Sequence, residues 1–139
     1  MAIKDIVKDT AILTQKSVPF VFGEDDAIIQ DLHDTATAHE DNCAGLAAIQ
    51  LGIPKRVIVV KEGSNFVTYI NPVIVKRSHE SYMATEDCLS LEGPRTVKRY
   101  RSVMVSYTTA NGKKKSKTFN GFVAEILQHE IDHCNGVLI

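Results

Sequence analysis

The segment His129-Glu130-Ile131-Asp132-His133 has the residue types and spacing needed for metal chemistry. Two histidines four residues apart lie on one face of a helix, so both imidazoles can reach the same metal ion. Glu130 lies beside that face, where it is free to act as a general acid and base. The segment therefore predicts a metal ion with a neighbouring proton-transfer group. The alternative is a pair of buried histidines that form only hydrogen bonds.

A third metal ligand would separate these two interpretations, and cysteine is a suitable type. A thiolate binds borderline metals tightly, and two histidines with one cysteine leave a fourth position for water. The chain has three widely spaced cysteines, Cys43, Cys88 and Cys134. An odd, scattered set favours a reducing compartment over a disulfide framework. Each thiol is thus a candidate ligand, nucleophile or core residue.

Two helices are predicted from apolar spacing. The first runs from Asp25 to about His39, with Asp25 or Asp26 as its N-cap. The second begins near Asn120, carries the two histidines and ends at Asn135-Gly136, a pair typical of a left-handed helix terminus. Its apolar residues surround most of the circumference, which predicts a helix buried in the middle of the fold: Phe122, Val123, Ile126, Leu127 and Ile131.

Strands are predicted between and after these points. The apolar run RVIVV predicts a buried strand, and FVTYINPVIV predicts another that is interrupted at Asn71-Pro72. Alternation between Val103 and Phe119 predicts a hairpin. Asn111-Gly112 lies at its middle and predicts a two-residue turn with positive φ at both positions. The basic residues from Lys113 to Lys117 fit a solvated hairpin arm better than a nucleic-acid patch.

Length and composition predict a single domain over residues 1–139. The chain is 44% hydrophobic, enough for a core, and has 16 basic and 17 acidic residues for a formal charge of -1. This balance favours neither direct nucleic-acid recognition nor an anionic membrane. No apolar run reaches 18 residues, and the opening MAIKDIVKDT is interrupted by charges. We therefore expect a soluble cytoplasmic protein.

Three segments together resemble the peptide deformylase family: GLAAIQ from Gly45 to Gln50, EDCLS from Glu86 to Ser90, and HEIDH from His129 to His133. Their order and separation also match, and the resemblance covers nearly the whole chain. It implies an α+β fold in which small mixed sheets pack around a central buried helix carrying HEIDH.

The resemblance implies a hydrolase that removes the N-formyl group from the initiator formylmethionine of nascent chains and releases formate. One divalent metal would be held by Cys88, His129 and His133, with Fe(II) physiological and zinc, nickel or cobalt able to replace it. Metal-bound water would supply hydroxide near neutral pH. Glu130 would take the proton of this water and deliver it to the departing amine.

The resemblance also implies residues that bind the substrate. The Gln50 side-chain amide and the Leu89 backbone N–H would stabilise negative charge on the formyl oxygen. Gly45 would let the substrate backbone approach closely, whereas Phe122 and Ile126 would line an apolar slot for the methionine side chain. Outside the metal ligands, Glu86 and Asp132 are expected to orient a ligand or pair with a basic residue such as Arg99.

Two positions depart from the family pattern. Cys43 and Asp87 each stand where relatives commonly have glycine, which predicts a narrower or more acidic cleft and an altered range of formylated substrates. The implied partners are the N-formylated nascent peptide and, in transient contact, the ribosome. Since the sequence stops at Ile139, we expect any ribosome contact to be made without the C-terminal extension that many relatives use for docking.

Three other functions stay open at this point. A deformylase-like hydrolase with an altered substrate would retain all three motifs. An H-E-x-x-H metalloprotease would share the helix and water activation but would not require Gln50 or the cysteine motif. A non-catalytic module with a structural metal would need a fourth protein ligand, and it gives Glu130 no role.

Overall fold

The computed structural model describes residues 3–139, in which three helices and seven strands are found. Met1 and Ala2, the start of the opening segment expected to lack a secretory signal, lie outside the described residues. None of the helices from residue 3 onward is long and apolar enough to cross a membrane. The helices are α1 (Thr10–Leu13), α2 (Asp26–Ala38) and α3 (Gly121–Cys134). The strands are β1 (Gly45–Ala47), β2 (Val57–Glu62), β3 (Asn65–Arg77), β4 (Ser81–Cys88), β5 (Leu91–Tyr100), β6 (Ser102–Thr108) and β7 (Lys114–Asn120).

The strands form two antiparallel sheets. One has five strands in the order β1-β2-β3-β6-β7, and the other is the β4-β5 pair. A turn of 3-10 helix, Ala48–Leu51, follows β1 directly. With helices packed on the larger sheet, this is the predicted α+β fold.

Strand β2 explains why RVIVV is apolar without interruption. Successive side chains of a strand point to opposite faces. Ile58 and Val60 join the core cluster that contains Leu127 of α3, whereas Val57 and Val59 join the cluster that contains Leu32 of α2. The strand is therefore buried between two helices, and the helix carrying both histidines lies in the core as predicted.

The predicted interruption at Asn71-Pro72 is found as an irregularity inside β3, which continues to Arg77. Asn71 takes a positive φ of 52°, and the pairing with β6 shifts register between Ile70 and Val73. The Asn71 side chain accepts a hydrogen bond from the Phe20 N–H at 2.8 Å. The pair thus forms an irregularity within one long strand, which absorbs the proline.

The hairpin is confirmed, but the predicted two-residue turn is wrong. Thr109 N–H donates to the Lys113 carbonyl at 2.8 Å, and Gly112 N–H donates to the Thr109 carbonyl at 2.9 Å. Gly112 has a φ of +88°, whereas Asn111 is not among the residues with positive φ. A three-residue loop with one left-handed glycine closes the hairpin. The lysines of β7 are exposed, as expected for a solvated arm.

Candidate metal centre

Helix α3 positions both histidines. Residues at i, i+3, i+4 and i+7 share one face of a helix, so Phe122, Ile126, His129 and His133 form one stripe. The helix ends where the sequence predicted, with Asn135 as C-cap and Gly136 at a φ of +77°. His129 and His133 are buried, and their ring centroids lie 5.0 Å apart.

Strand β4 brings Cys88 to the two histidines. The Cys88 Sγ lies 3.4 Å from His133 Nε2. One ligand atom from each of Cys88, His129 and His133 falls within 4.8 Å of the others. The structure therefore assembles the three residues that the resemblance selected as metal ligands, from two segments more than 40 residues apart.

A row of charged residues supports the His129 ring. Its Nδ1 lies 2.7 Å from Glu86 Oε1, which leaves Nε2 facing away from the carboxylate. Arg99 donates to both oxygens of Glu86, at 2.9 and 2.7 Å, and to Asp132 Oδ2 at 2.7 Å. A carboxylate on the distal nitrogen of a histidine is a common arrangement behind metal ligands. Glu86, Asp132 and Arg99 thus form the ion pairs expected from the sequence.

The pKa shifts of Glu86, His129 and His133 differ in direction and cause. Burial raises the pKa of Glu86, but Arg99 and His129 outweigh it and lower the pKa to about 2. Burial lowers the pKa of His129, but hydrogen bonds with Cys88 and Glu86 raise it to about 10. Burial and the charges of His129 and Arg99 lower the pKa of His133 to about 3. The shift of His133 favours the neutral imidazole that metal binding requires, whereas His129 has to lose its proton when a metal ion binds.

Two buried polar atoms at this place lack a hydrogen-bond partner within the described residues: His133 Nδ1 and Glu130 Oε1. Glu130 is only 3% exposed. Burial, together with the charges of Glu86 and Asp132, raises its pKa to about 7 against the opposing effects of His129 and Arg99. A buried carboxylate oxygen with no partner is costly, and such groups concentrate at functional sites.

The donor set fits a divalent metal ion. Two imidazoles and a thiolate suit zinc, iron and related first-row metals, and three protein ligands leave an open position. Glu86 supplies the outer support that fixes the His129 ring. This combination favours a catalytic over a closed structural site.

Gln50 is held in a fixed orientation beside Cys88. Its side-chain oxygen accepts from Ala47 N–H at 3.0 Å. Its amide nitrogen donates to Cys88 Sγ at 3.4 Å and to Ser90 Oγ at 3.2 Å. The donor end of the amide therefore points toward the group of candidate ligands, which explains the glutamine in the first motif.

A cavity of about 250 Å³ lies in front of these residues. Its walls include the expected substrate-binding and oxyanion residues, the expected acid-base residue and two of the three candidate ligands: Gly45, Gln50, Cys88, Leu89, Phe122, Ile126, His129 and Glu130. His133 lies behind them, fully buried. Phe122 is 63% exposed and forms the rim, whereas Ile126 also belongs to the core.

Gly45 makes a contact that the sequence did not reveal. A Cβ at this position would lie 2.7 Å from Ile126 Cγ2 and 3.0 Å from Glu130 Cγ. Strand β1 and helix α3 therefore approach each other closely at the carboxylate of Glu130. Cys43 is buried as expected, yet it also lines the cavity and donates through Sγ to the Gly45 carbonyl at 3.1 Å.

Sequence reasoning missed one wall of the cavity. Glu125 and Thr85 line it, and Tyr82 O–H donates to Glu125 Oε1 at 2.8 Å. The spacing of Glu125, four residues before His129, was a usable signal. The strands β4 and β5, which bring Tyr82 and Arg99 into place, were not predicted individually.

Comparison with known proteins gives one consistent result. Residues 3–139 match the polypeptide deformylase family. A peptide deformylase of Clostridium beijerinckii is 46% identical over 137 residues, covering 99% of both chains.

Solved structures agree with this match. The peptide deformylase of Thermotoga maritima superposes with a TM-score of 0.90 at 30% identity, covering 99% of this chain and 95% of that one. A Met-Ala-Ser-bound class I type b peptide deformylase from Acinetobacter baumannii gives a TM-score of 0.87 at 32% identity, with 99% and 96% covered.

Proposed function

The chain belongs to the polypeptide deformylase family, and from this we propose that it removes the formyl group from N-terminal formylmethionine of nascent polypeptides, releasing formate. The reaction breaks the C–N bond of the formamide by addition of water, which gives formate and a free N-terminal amine. The proposal includes a single catalytic domain over residues 1–139 and a transient meeting with the nascent chain at the ribosome. The match to the family over residues 3–139 supports it.

Cys88, His129 and His133 would hold one divalent metal ion, with Fe(II) as the physiological metal and zinc, nickel or cobalt as substitutes. When bound, such an ion polarises a carbonyl oxygen and lowers the pKa of water to near neutrality. Glu86 keeps the His129 ring oriented through its 2.7 Å hydrogen bond to Nδ1. Arg99 in turn holds Glu86 through two hydrogen bonds.

Glu130 is the proton-transfer group in this proposal. Its unpartnered Oε1 is buried at the cavity, where a water molecule or substrate can supply the missing hydrogen bond. The carboxylate accepts a proton from the attacking water. It then delivers that proton to the amine nitrogen as the C–N bond breaks.

Gln50 and Leu89 stabilise the charge that develops on the formyl oxygen. The Gln50 side chain is held by Ala47 and Ser90, so the N–H that now donates to Cys88 Sγ needs only a small movement to donate to the formyl oxygen. Leu89 follows Cys88 directly and lines the same cavity. Phe122 and Ile126 provide apolar surface for the methionine side chain, and Gly45 lies at the opposite wall.

One observation carries the proposal: Glu130 is buried with its Oε1 lacking a hydrogen-bond partner, and it lines the same cavity as Cys88 and His129. A structural metal site needs no such acid. The related protein from Acinetobacter baumannii was solved with Met-Ala-Ser, the tripeptide that deformylation of formyl-Met-Ala-Ser would yield.

The test is formate release from formyl-Met-Ala-Ser by anaerobically purified protein of known metal content. We expect release by wild type and a rate at least about 100-fold lower for Glu130→Gln with its metal retained, because proton transfer is lost. Glu24→Gln removes an exposed carboxylate that does not line the cavity and serves as the matched control. No formate from metal-loaded wild type would contradict the proposal, and cleavage of internal peptide bonds would favour a metalloprotease.

A further inference from the structure

The two flanks of helix α3 give the cavity two unlike walls. Successive helical residues are about 100° apart, so Glu125 and Glu130 lie on opposite flanks of the stripe formed by Ile126 and His129. Glu130 lies against Gly45 on the β1 side, whereas Glu125 accepts the hydrogen bond from Tyr82 of β4. The β1 wall is built from small and apolar residues, with Cys43, Ala44 and Gly45.

The β4 wall, in contrast, is acidic, with Glu86, Asp87 and Glu125. Glu86 is compensated by Arg99 and His129. Asp87 is exposed, and across residues 3–139 it forms no side-chain hydrogen bond or ion pair. It lies where the β4-β5 pairing shifts register between Glu86 and Cys88, an irregularity of the kind that re-aims side chains.

Glu125 is the second uncompensated acid of this wall. It is half-buried, and burial together with Glu86 raises its pKa, although Tyr82 and Arg99 act in the opposite direction. No lysine or arginine is found among the described residues that line the cavity. A partly desolvated carboxylate without a cation gains the most from a cation supplied by a ligand.

We propose that this acidic wall selects formylated peptides that carry a lysine or arginine side chain next to the formylmethionine, with Glu125 and Asp87 as specificity-determining residues. The inference rests on the proposed function. A formylated terminus is an uncharged amide, so the cation that matches the wall has to come from a side chain. The cavity is marked as a ligand site independently of these acids, by the unpartnered Oε1 of the buried Glu130.

Competition between three substrates tests this selection. We compare kcat/KM of the metal-loaded enzyme for formyl-Met-Lys-Ser, formyl-Met-Ala-Ser and formyl-Met-Glu-Ser. Wild type is expected to prefer the lysine over the glutamate peptide about tenfold, because opposite and like charges meet the same wall. The preference is expected to shrink in 0.5 M salt.

Charge-neutral variants assign the preference to the two acids. Glu125→Gln and Asp87→Asn are each expected to reduce the lysine-to-glutamate ratio about threefold, and the control Glu24→Gln is expected to leave it unchanged. Asp87 is exposed, so its variant tests the proposal even where replacing Glu125 disturbs folding. Equal kcat/KM for the three peptides, or a wild-type ratio in both variants, would overturn the inference.

A binding measurement separates this inference from the proposed function. Calorimetry with the N-acetylated tripeptides acetyl-Met-Lys-Ser, acetyl-Met-Ala-Ser and acetyl-Met-Glu-Ser, whose N-termini are uncharged like those of the substrates, needs no turnover, and the same order of affinities is expected. Formate release at equal rates from all three formylated peptides would remove the inference and leave the function intact. If no peptide released formate, the function would fail, and the calorimetric order would still decide whether the acidic wall selects cations.

Discussion

The orientation of His129 depends on three charged residues, which are linked by hydrogen bonds. Glu86 binds its Nδ1, Arg99 binds Glu86, and Asp132 binds Arg99 at 2.7 Å. Asp132 lies in α3, the same helix as His129, so this row of contacts begins and ends on one helix. Such support fixes the direction of a ligand ring, and its loss weakens metal binding by roughly 10- to 100-fold in comparable sites.

Replacing Asp132 by asparagine tests this support. Arg99 would lose one of its two carboxylate partners while Glu86 keeps its own contact with His129. We therefore expect about tenfold weaker metal affinity and a similar loss in kcat/KM. Chelator competition measures the affinity, and Asp5→Asn, at an exposed position, is the control. Unchanged metal affinity and activity in Asp132→Asn would show that Arg99 needs only Glu86.

Gly45 is expected to be intolerant of even a methyl group. The added Cβ of Gly45→Ala would meet Ile126 and Glu130, so helix α3 or the Glu130 side chain must shift. We expect a loss of roughly 1–3 kcal/mol in unfolding free energy and a fall in kcat larger than the change in KM. Urea unfolding and steady-state kinetics measure the two effects.

The contact with Ile126 gives this prediction its control. In the double variant with Ile126→Ala, the nearest clashing atom is removed, so the two substitutions should be non-additive. Strict additivity of the two unfolding free energies would contradict the contact.

How far the site could be predicted differs from residue to residue. The spacing of His129 and His133 was sufficient, because helix geometry is local. Cys88 could be selected from three cysteines only through the family resemblance, since its meeting with α3 depends on long-range packing. Tyr82 of β4 and Glu125 of α3 also come into contact only through long-range packing, so no local sequence pattern predicts their hydrogen bond.

Among the elements, the helices were predicted better than the turns. The termini of α2 and α3 agree with the prediction to within one or two residues. Asn71-Pro72 has strong turn propensity, and it lies in a gap of the pairing, because the β2 ladder ends at Ile70 and the β6 ladder resumes at Val73. Pairing before and after this gap keeps both halves in one strand, so the local preference produces an irregularity and not a turn.

The C-terminus of α3 offers a test of element packing. Gly136 has a φ of +77°, and an added Cβ would overlap the Thr14 carbonyl oxygen that follows α1. Gly112 has a similar φ of +88°, but nothing lies within 4 Å of its added Cβ. Gly112→Ala should cost only backbone strain, about 1 kcal/mol, whereas Gly136→Ala should cost clearly more.

Thermal unfolding of both alanine variants measures this difference. Equal shifts in Tm would mean that the contact between Gly136 and Thr14 contributes nothing to stability. A larger shift for Gly136→Ala would show that the end of α3 is anchored against the segment after α1.

For the whole molecule, the site depends on segments that are distant in the sequence. Gln50 comes from the 3-10 turn after β1, Cys88 from the end of β4 and the histidines from α3. The length and composition predicted one core, and the family resemblance implied the α+β class. The pairing of β4 with β5 and the sheet order could not be predicted, because they depend on contacts between residues far apart in the chain.

A metal ion held by both β4 and α3 should stabilise the entire fold. An ion that binds only the native state adds to its stability through mass action. Removing the metal with a chelator is therefore expected to lower the Tm by roughly 5–10 °C, and added Zn²⁺ or Co²⁺ should restore it. Cys88→Ser should show little chelator effect. Cys43→Ala, at a cavity cysteine outside the ligand group, should keep the full effect. Scanning calorimetry measures the Tm with and without chelator. If the chelator lowered the Tm of Cys88→Ser as much as that of wild type, Cys88 would not be a metal ligand.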